Sequence, residues 1–277
     1  MTSALRNVLL VSRMTRDTRE FEERVFGTGG SLSQHTRRAV DRLVRSMKNT
    51  ALWEKTIAAD LCCGDNLSSA LVFLKAPAGI HAYTNYNFVE TDYSERAGMT
   101  GNGSTKYLDS GLNPVTLGWS ASDLMLWCVT RTDNVSAGTS RMSLGSDGGS
   151  NTSLFLGWMA SGSRESVAIA AAGASNSAGG SATALKGLLG GGTNGSRAQQ
   201  FFRNGTAVGG AATATSAWAS RNLYKFAINS FDAAGASSVS NRTLSAAFIT
   251  RGLTAAEIVR LYNIVAEFEA SIGRPIP

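Results

Sequence analysis

The chain has 277 residues, 43% of them hydrophobic, with 30 glycines and only 4 prolines; that is room for one large β domain with additions, and a composition that favours many turns over long helices. Its net charge of +6 is concentrated in residues 1–50, where ten Lys and Arg face five Asp and Glu, so the remainder is close to neutral. Three cysteines and two histidines, with Cys62 and Cys63 adjacent and Cys128, His35 and His81 each apart, exclude a disulfide framework and give no metal-ligand spacing, so neither metal nor cofactor is expected.

The chain begins MTSALRNVLLVSRMTR, whose only apolar run is Val8–Val11 between arginines. Such a run is too short for a signal-peptide core or a membrane span. The expectation is a protein made in a cytosol and released by lysis, with no membrane partner. Asn7, Val8, Leu9, Leu10, Val11 and Ser12 read as a short docking strand, inside an arm over residues 1–30 that ends at the hinge Gly27-Thr28-Gly29-Gly30. SLSQ, Ser31–Gln34, then offers a capping box. Ala39, Val40, Leu43, Val44 and Met47 recur at helical spacing behind it. Arg37, Arg38, Arg42 and Arg45 form the polar side of that helix. No aromatic residue interleaves with them, so nucleic acid is not an expected partner. A second short helix is predicted to hold Trp53, Ile57 and Leu61 and to end near Gly64, completing a helical segment over 31–67.

From residue 68 the period changes. SALVFLK, Ser69–Lys75, has strand length. Further candidate strands are Tyr83–Val89, Lys106–Leu108, Leu124–Arg131, Ser140–Leu144, Ser153–Met159, Glu165–Ala170, Gln199–Arg203, Leu223–Asn229 and Leu244–Thr250. Short strands separated by Gly/Asn/Ser turns at regular intervals predict a β-sandwich or barrel. LMLWCVT is apolar on both faces and reads as a central strand. GMTGNGSTKYLDSGLNP, Gly98–Pro114, is no phosphate loop, since no helical pattern follows it. Its Asn102-Gly103 pair, and the second such pair in FFRNGTAVGG, read as hairpin corners. Small residues from Ala170 to Ala184 read as a long loop. A closing helix over 254–273 starts at the capping box Thr254–Glu257 and carries the stripe Ile258, Leu261, Tyr262, Val265, Phe268 and Ile272.

Three stretches, TGNGSTKYLDSGLNP, FFRNGTAV and LSAAFITRGLTAAEIVRLYNIVAEFEASIG, resemble the concanavalin A-like or laminin-G-like domains of tailed-bacteriophage virion proteins. The resemblance runs from about Ala70 to Gly273. It implies a mainly β fold, a jelly-roll β-sandwich over 68–277 with the closing helix packed on it. It also implies a place in a virion, with other virion proteins and copies of the chain itself as partners. No family binding residue can be carried over to these positions.

Enzymatic chemistry finds no footing in the residues. Glycoside cleavage needs two carboxylates flanking one bond, whereas Asp109, Asp123, Asp133, Asp147, Glu165 and Asp232 are scattered. No G-x-S-x-G elbow accompanies the isolated histidines. For glycan contact the candidates are Trp119 and Trp218, because Trp127 and Trp158 lie in core-like runs. Asp147 to Asn151 reads as an Asx-rich turn before it reads as a calcium loop. Adjacent residues of an extended chain point to opposite sides. One thiol of Cys62 and Cys63 is therefore expected to face outward, where it could form an intersubunit disulfide. The expectation is a non-enzymatic accessory or decoration protein on a phage capsid, neck or tail. The alternatives are a receptor-binding module for host-surface glycan, or a cytosolic carbohydrate-binding protein.

Overall fold

Along Met125–Thr130 every residue is buried. Leu126 and Cys128 face one apolar core, while Met125, Trp127 and Val129 face another. A strand alternates its side chains between two faces, so this one must lie in a middle layer with something packed on each side. The computed structural model, which describes residues 14–133, 139–149, 152–160, 163–171, 178–179, 186–214, 218–230 and 235–277, shows what those layers are. Helices cover one sheet, and a second sheet packs on its other face.

The helix-backed sheet runs in the order Thr206–Thr213, Ala198–Arg203, Gly187–Thr193, Met125–Thr130, Thr243–Thr250, Thr56–Asp60, Phe73–Lys75. Gly98–Thr100 pairs with the start of Thr243–Thr250, and Tyr93–Ser94 pairs with it in turn. The open sheet runs Ala178–Gly179, Arg164–Ala171, Ser153–Met159, Arg141–Asp147, Tyr224–Lys225, Tyr107–Asp109, Thr84–Tyr86. Ile228–Ser230 joins it parallel to Arg141–Asp147, while the other strand pairings among the described residues are antiparallel. The result is a mainly β, jelly-roll-like sandwich, one of the two architectures the turn spacing allows and the one the resemblance implies.

The helices are α1 (Arg16–Gly27), α2 (Gln34–Asn49), α3 (Leu52–Lys55), α4 (Leu67–Ala70) and α5 (Ala255–Ser271). Thr254 and Glu257 close the capping box of α5 on each other, and Ile258, Leu261, Val265, Phe268 and Ile272 are buried. They meet Ala39, Leu43 and Met47 of α2 over Trp127, Ala246 and Phe248 of the sheet. Trp127 has no exposed surface, and its indole N–H donates to Thr250 Oγ1 at 3.1 Å. Arg274, just beyond α5, is also fully buried. It donates to the carbonyls of Leu61, Cys62 and Glu95 and pairs with Glu269. The chain end is thereby clamped to the edge of the helix-backed sheet.

Several expectations need correction. Residues 16–27, read as part of an arm, form α1. Thr15 caps it, and Phe21 and Val25 enter the helical core. The second helix stops at Lys55, and Ile57 lies in a strand instead. The front of the predicted Ser69–Lys75 strand belongs to α4, capped by Asn66 on Ser69 N at 2.9 Å. Asn102-Gly103 is not a hairpin corner. It bridges Gly98–Thr100 of one sheet and Tyr107–Asp109 of the other, with Asn102 Oδ1 accepting from Ser104, Thr105 and Lys106 N. Asn204-Gly205 is a hairpin corner, with φ of +48° and +82° between paired strands. The stretch of Asn7 to Ser12, and most of the 170–184 tract, lie outside the described residues.

The cysteine pair is the sharpest correction. Cys62 is 1% exposed and Cys63 is fully buried. The two do point apart, Cys62 into the core between the sheets and Cys63 into the core beneath the helices. They follow a middle-layer strand rather than a helix end, so opposite directions lead to two interiors and neither leads to solvent. An intersubunit disulfide at Cys62 or Cys63 would require the fold to open.

Candidate functional site

Four separate segments converge at one end of the sandwich. The first is the loop that feeds the central strand. Asn113 opens it by accepting from Val115 N at 3.0 Å and Thr116 N at 3.3 Å, an Asx turn. One helix-like turn follows, in which Trp119 N donates to Pro114 O at 3.0 Å. Ser120 and Asp123 make the next turn, with Asp123 N on Ser120 O at 3.1 Å. Leu124 then enters the core. The other segments bring Ile57 from Thr56–Asp60, Pro77 from beyond Phe73–Lys75, and Arg251 from the end of Thr243–Thr250.

Together Ile57, Pro77, Leu117, Trp119, Ser120, Asp123 and Arg251 line a cleft of about 290 Å³. Trp119 is half-buried and leans on the sandwich core, as does Trp218. The Trp218 indole N–H donates to the Trp119 carbonyl at 2.8 Å. The two tryptophans singled out in the sequence, 99 positions apart, thus meet: one lines the cleft, and the other holds the backbone of the first. Asp123 accepts from Gly252 N at 2.7 Å, which ties the loop to the strand end that carries Arg251. Arg251 N in turn donates to Lys55 O at 2.7 Å. Its side chain is exposed, and among the described residues no carboxylate forms an ion pair with it.

Arg251, Ser120, Ile57 and Pro77 were not legible as site residues. They come from segments that meet only in the folded chain. The one available signal for Arg251 was a charged residue directly after a wholly apolar strand, at a loop mouth where binding groups concentrate.

The other acids serve local structure. Glu165 receives both oxygens' contacts from Arg242 Nη1, at 2.8 and 2.9 Å, in a fully buried pair. Burial raises the Glu165 pKa, and Arg242 only partly opposes that. Asp60 pairs with Lys225 between the sheets. Burial works against the Lys225 charge, but Asp60 outweighs it and the ammonium pKa is raised. Asp147 accepts from Gly149 N and Ser153 Oγ, each at 3.0 Å, as an Asx turn does. Asp133 pairs with Lys186 at 2.9 Å, and Asp109 accepts from Gly111 N at 2.8 Å. Asp232 lies outside the described residues. Among the described residues no group of three or more His, Cys, Asp or Glu could hold a metal ion, and no helix is long and apolar enough to cross a membrane.

No protein-family model matches the chain, and no curated protein matches it. Solved structures do. A receptor-binding domain superposes with a TM-score of 0.52 at 11% identity, covering 78% of this chain and 52% of that one. Trypanosoma rangeli sialidase gives 0.48 at 12% identity, over 82% of this chain and 38% of the enzyme. The botulinum neurotoxin serotype D binding domain gives 0.47 at 8% identity, over 76% and 52%. The chain spans between about a third and a half of these proteins. What the chain shares with the receptor-binding domain is the fold, a β-sandwich of two packed antiparallel sheets.

Proposed function

We propose that the chain is a non-enzymatic saccharide-binding module, carried on a bacteriophage particle and directed at host-surface glycan. The observation that carries the binding reading is Trp119, half-buried at a cleft among Ser120, Asp123 and Arg251, with its backbone carbonyl bonded by the Trp218 indole. A sugar ring presents a face of C–H groups and a rim of hydroxyls. An aromatic ring offers area to the face, and convergent polar side chains serve the rim. An indole already packed in part against the core gives that contact at a reduced cost in side-chain freedom. The virion setting rests on the sequence resemblance over residues 70–273. An accessory or decoration role on capsid, neck or tail is compatible with the same cleft, because a surface protein that holds glycan can serve attachment.

The test is retention of the purified protein on immobilised polysaccharides from the host envelope. Trp119→Ala is expected to abolish retention while leaving a single cooperative thermal transition, lowered by the loss of a half-buried ring that leans on the core. Undiminished retention of the Trp119→Ala protein would overturn the assignment of the cleft. Mass-spectrometric copy number in purified particles tests the virion setting separately.

A further inference from the structure

Like Arg38, Arg42 and Arg260, Arg251 forms no ion pair among the described residues, and what sets it apart is that it lines the cleft that holds Trp119. Arg274 is consumed by Glu269 and three carbonyls, and Arg131 by Glu269 Oε2 at 3.4 Å and Arg274 O at 3.0 Å. On the polar face of α2, Arg37 pairs with Glu22 and Arg45 with Asp41. Arg251 is exposed at the cleft wall and pairs with no acid among the described residues, even though acids stand nearby in the fold. Lys55, whose carbonyl accepts from Arg251 N, takes Glu257 for itself at 2.8 Å. Asp123, the acid of the cleft, is turned to Gly252 N. Glu257 is thus held by Lys55 and one oxygen of Asp123 by Gly252 N, while Arg251 lines the same cleft as Trp119.

A guanidinium presents parallel N–H donors in a planar fork that matches a carboxylate, and such charge-assisted pairs are about twice as strong as neutral ones. We propose that the cleft selects a saccharide bearing a carboxylate, as uronic and related acidic sugars do, with Arg251 engaging the acid while Trp119 stacks on the ring. The proposal rests on the saccharide-binding reading of the cleft and adds the class of sugar. A neutral glycan would leave Arg251 without its partner. An acidic one would meet the Arg251 guanidinium in a cleft also lined by Ile57, Leu117 and Pro77, whose own carboxylate, Asp123, is hydrogen-bonded to Gly252 N.

The experiment measures retention of the full chain on two sets of immobilised polysaccharide. One set is acidic: polygalacturonate, alginate, hyaluronan and polysialate. The other is neutral: dextran, galactan, glucomannan and methyl-esterified polygalacturonate. Each set is run with the parent, Arg251→Gln, Arg251→Lys and Trp119→Ala. The expected result is retention on at least one acidic polymer. Binding should weaken about ten- to a hundredfold in Arg251→Gln, be partly restored in Arg251→Lys, and be lost in Trp119→Ala. The esterified polymer should not bind. Retention that depends on Trp119 but is equal on acidic and neutral polymers, or is unchanged in Arg251→Gln, would overturn the acidic-sugar assignment and leave the cleft standing. Retention on no polymer, or retention indifferent to Trp119, would overturn the saccharide reading itself. Retention on every polyanion, dextran sulfate included, that persists in Trp119→Ala would mark charge alone and also refute the proposal.

Discussion

At the scale of single residues, Cys62, Cys63 and Cys128 bear the chemical consequence of a middle layer. Burial pushes the Cys62 thiol up to about 11 and Cys128 to about 12, with Cys63 also well above the ordinary thiol range. The thiolate is the reactive form, and here it is both scarce and shielded. Native protein at pH 8 is expected to give no rapid reaction with a disulfide reagent such as DTNB, and three equivalents after unfolding. A fast equivalent in the native state would mean that one of the three thiols is open after all. Glu257 gives a second test at this scale. Burial works against its charge, but Lys55 and the Thr254 hydroxyl and N–H outweigh that, so its pKa is lowered. A carboxyl held below its unfolded value adds stability above that value and gives it up as pH falls. Glu257→Gln keeps a side chain that can close the capping box but loses the Lys55 pair, so it should cost about 0.2–1 kcal/mol near neutrality and should flatten the loss of stability below the ordinary glutamate range. Denaturant titrations at several pH values measure both effects, and an unchanged acid slope would contradict the role given to Glu257.

At the scale of elements, local chemistry was legible and tertiary contact was not. Helix α5 could be read because its cap, stripe and stop are all written within twenty residues. Asn204-Gly205 could be read because a two-residue hairpin demands positive φ at both positions. Helix α1 escaped notice because Phe21 and Val25 are its only buried apolar side chains. Gly187–Thr193 escaped because GLLGGGT has the composition of a linker, yet it is a fully buried strand beside the central one. Its glycines answer to a neighbour. A Cβ on Gly190 would stand 2.4 Å from Trp127 Cε3 and 2.3 Å from Leu126 O. The large ring that fills the helical core on one strand thus requires an absent side chain on the next. Gly190→Ala is expected to destabilise by about 1–3 kcal/mol, the range for overpacking a filled core, as read by urea denaturation. A neutral result would mean that Trp127 has room to move.

At the scale of the whole molecule, one sheet serves two interiors. Its outer face is covered by α1, α2 and α5, which leaves the loop end of the sandwich and the open sheet outside the helical cover. The central strand announced this arrangement by being apolar on both faces, but the cleft was announced only in part. Trp119 and Trp218 stood out as aromatics away from core-like runs. Ile57, Pro77 and Arg251 could not be grouped with them, because their distances along the chain carry no hint of proximity. Of the helical layer, α2 and α5 were legible, and only α1 was hidden, in the arm-like reading of residues 16–27, whose charge masks a two-residue contact.

The central claim, that sugar meets the chain at Trp119, is tested most directly by following the five tryptophan indole N–H resonances while an oligosaccharide from a retained polymer is added. Trp127 is wholly buried, and Trp53 and Trp158 are at most 7% exposed. The Trp119 signal should move in a saturable way, and that of Trp218, bonded to the Trp119 carbonyl, should move with it, while the other three stay in place. Saturable binding that shifts none of the five signals, or shifts Trp53, Trp127 or Trp158 and leaves Trp119 unmoved, would contradict the account.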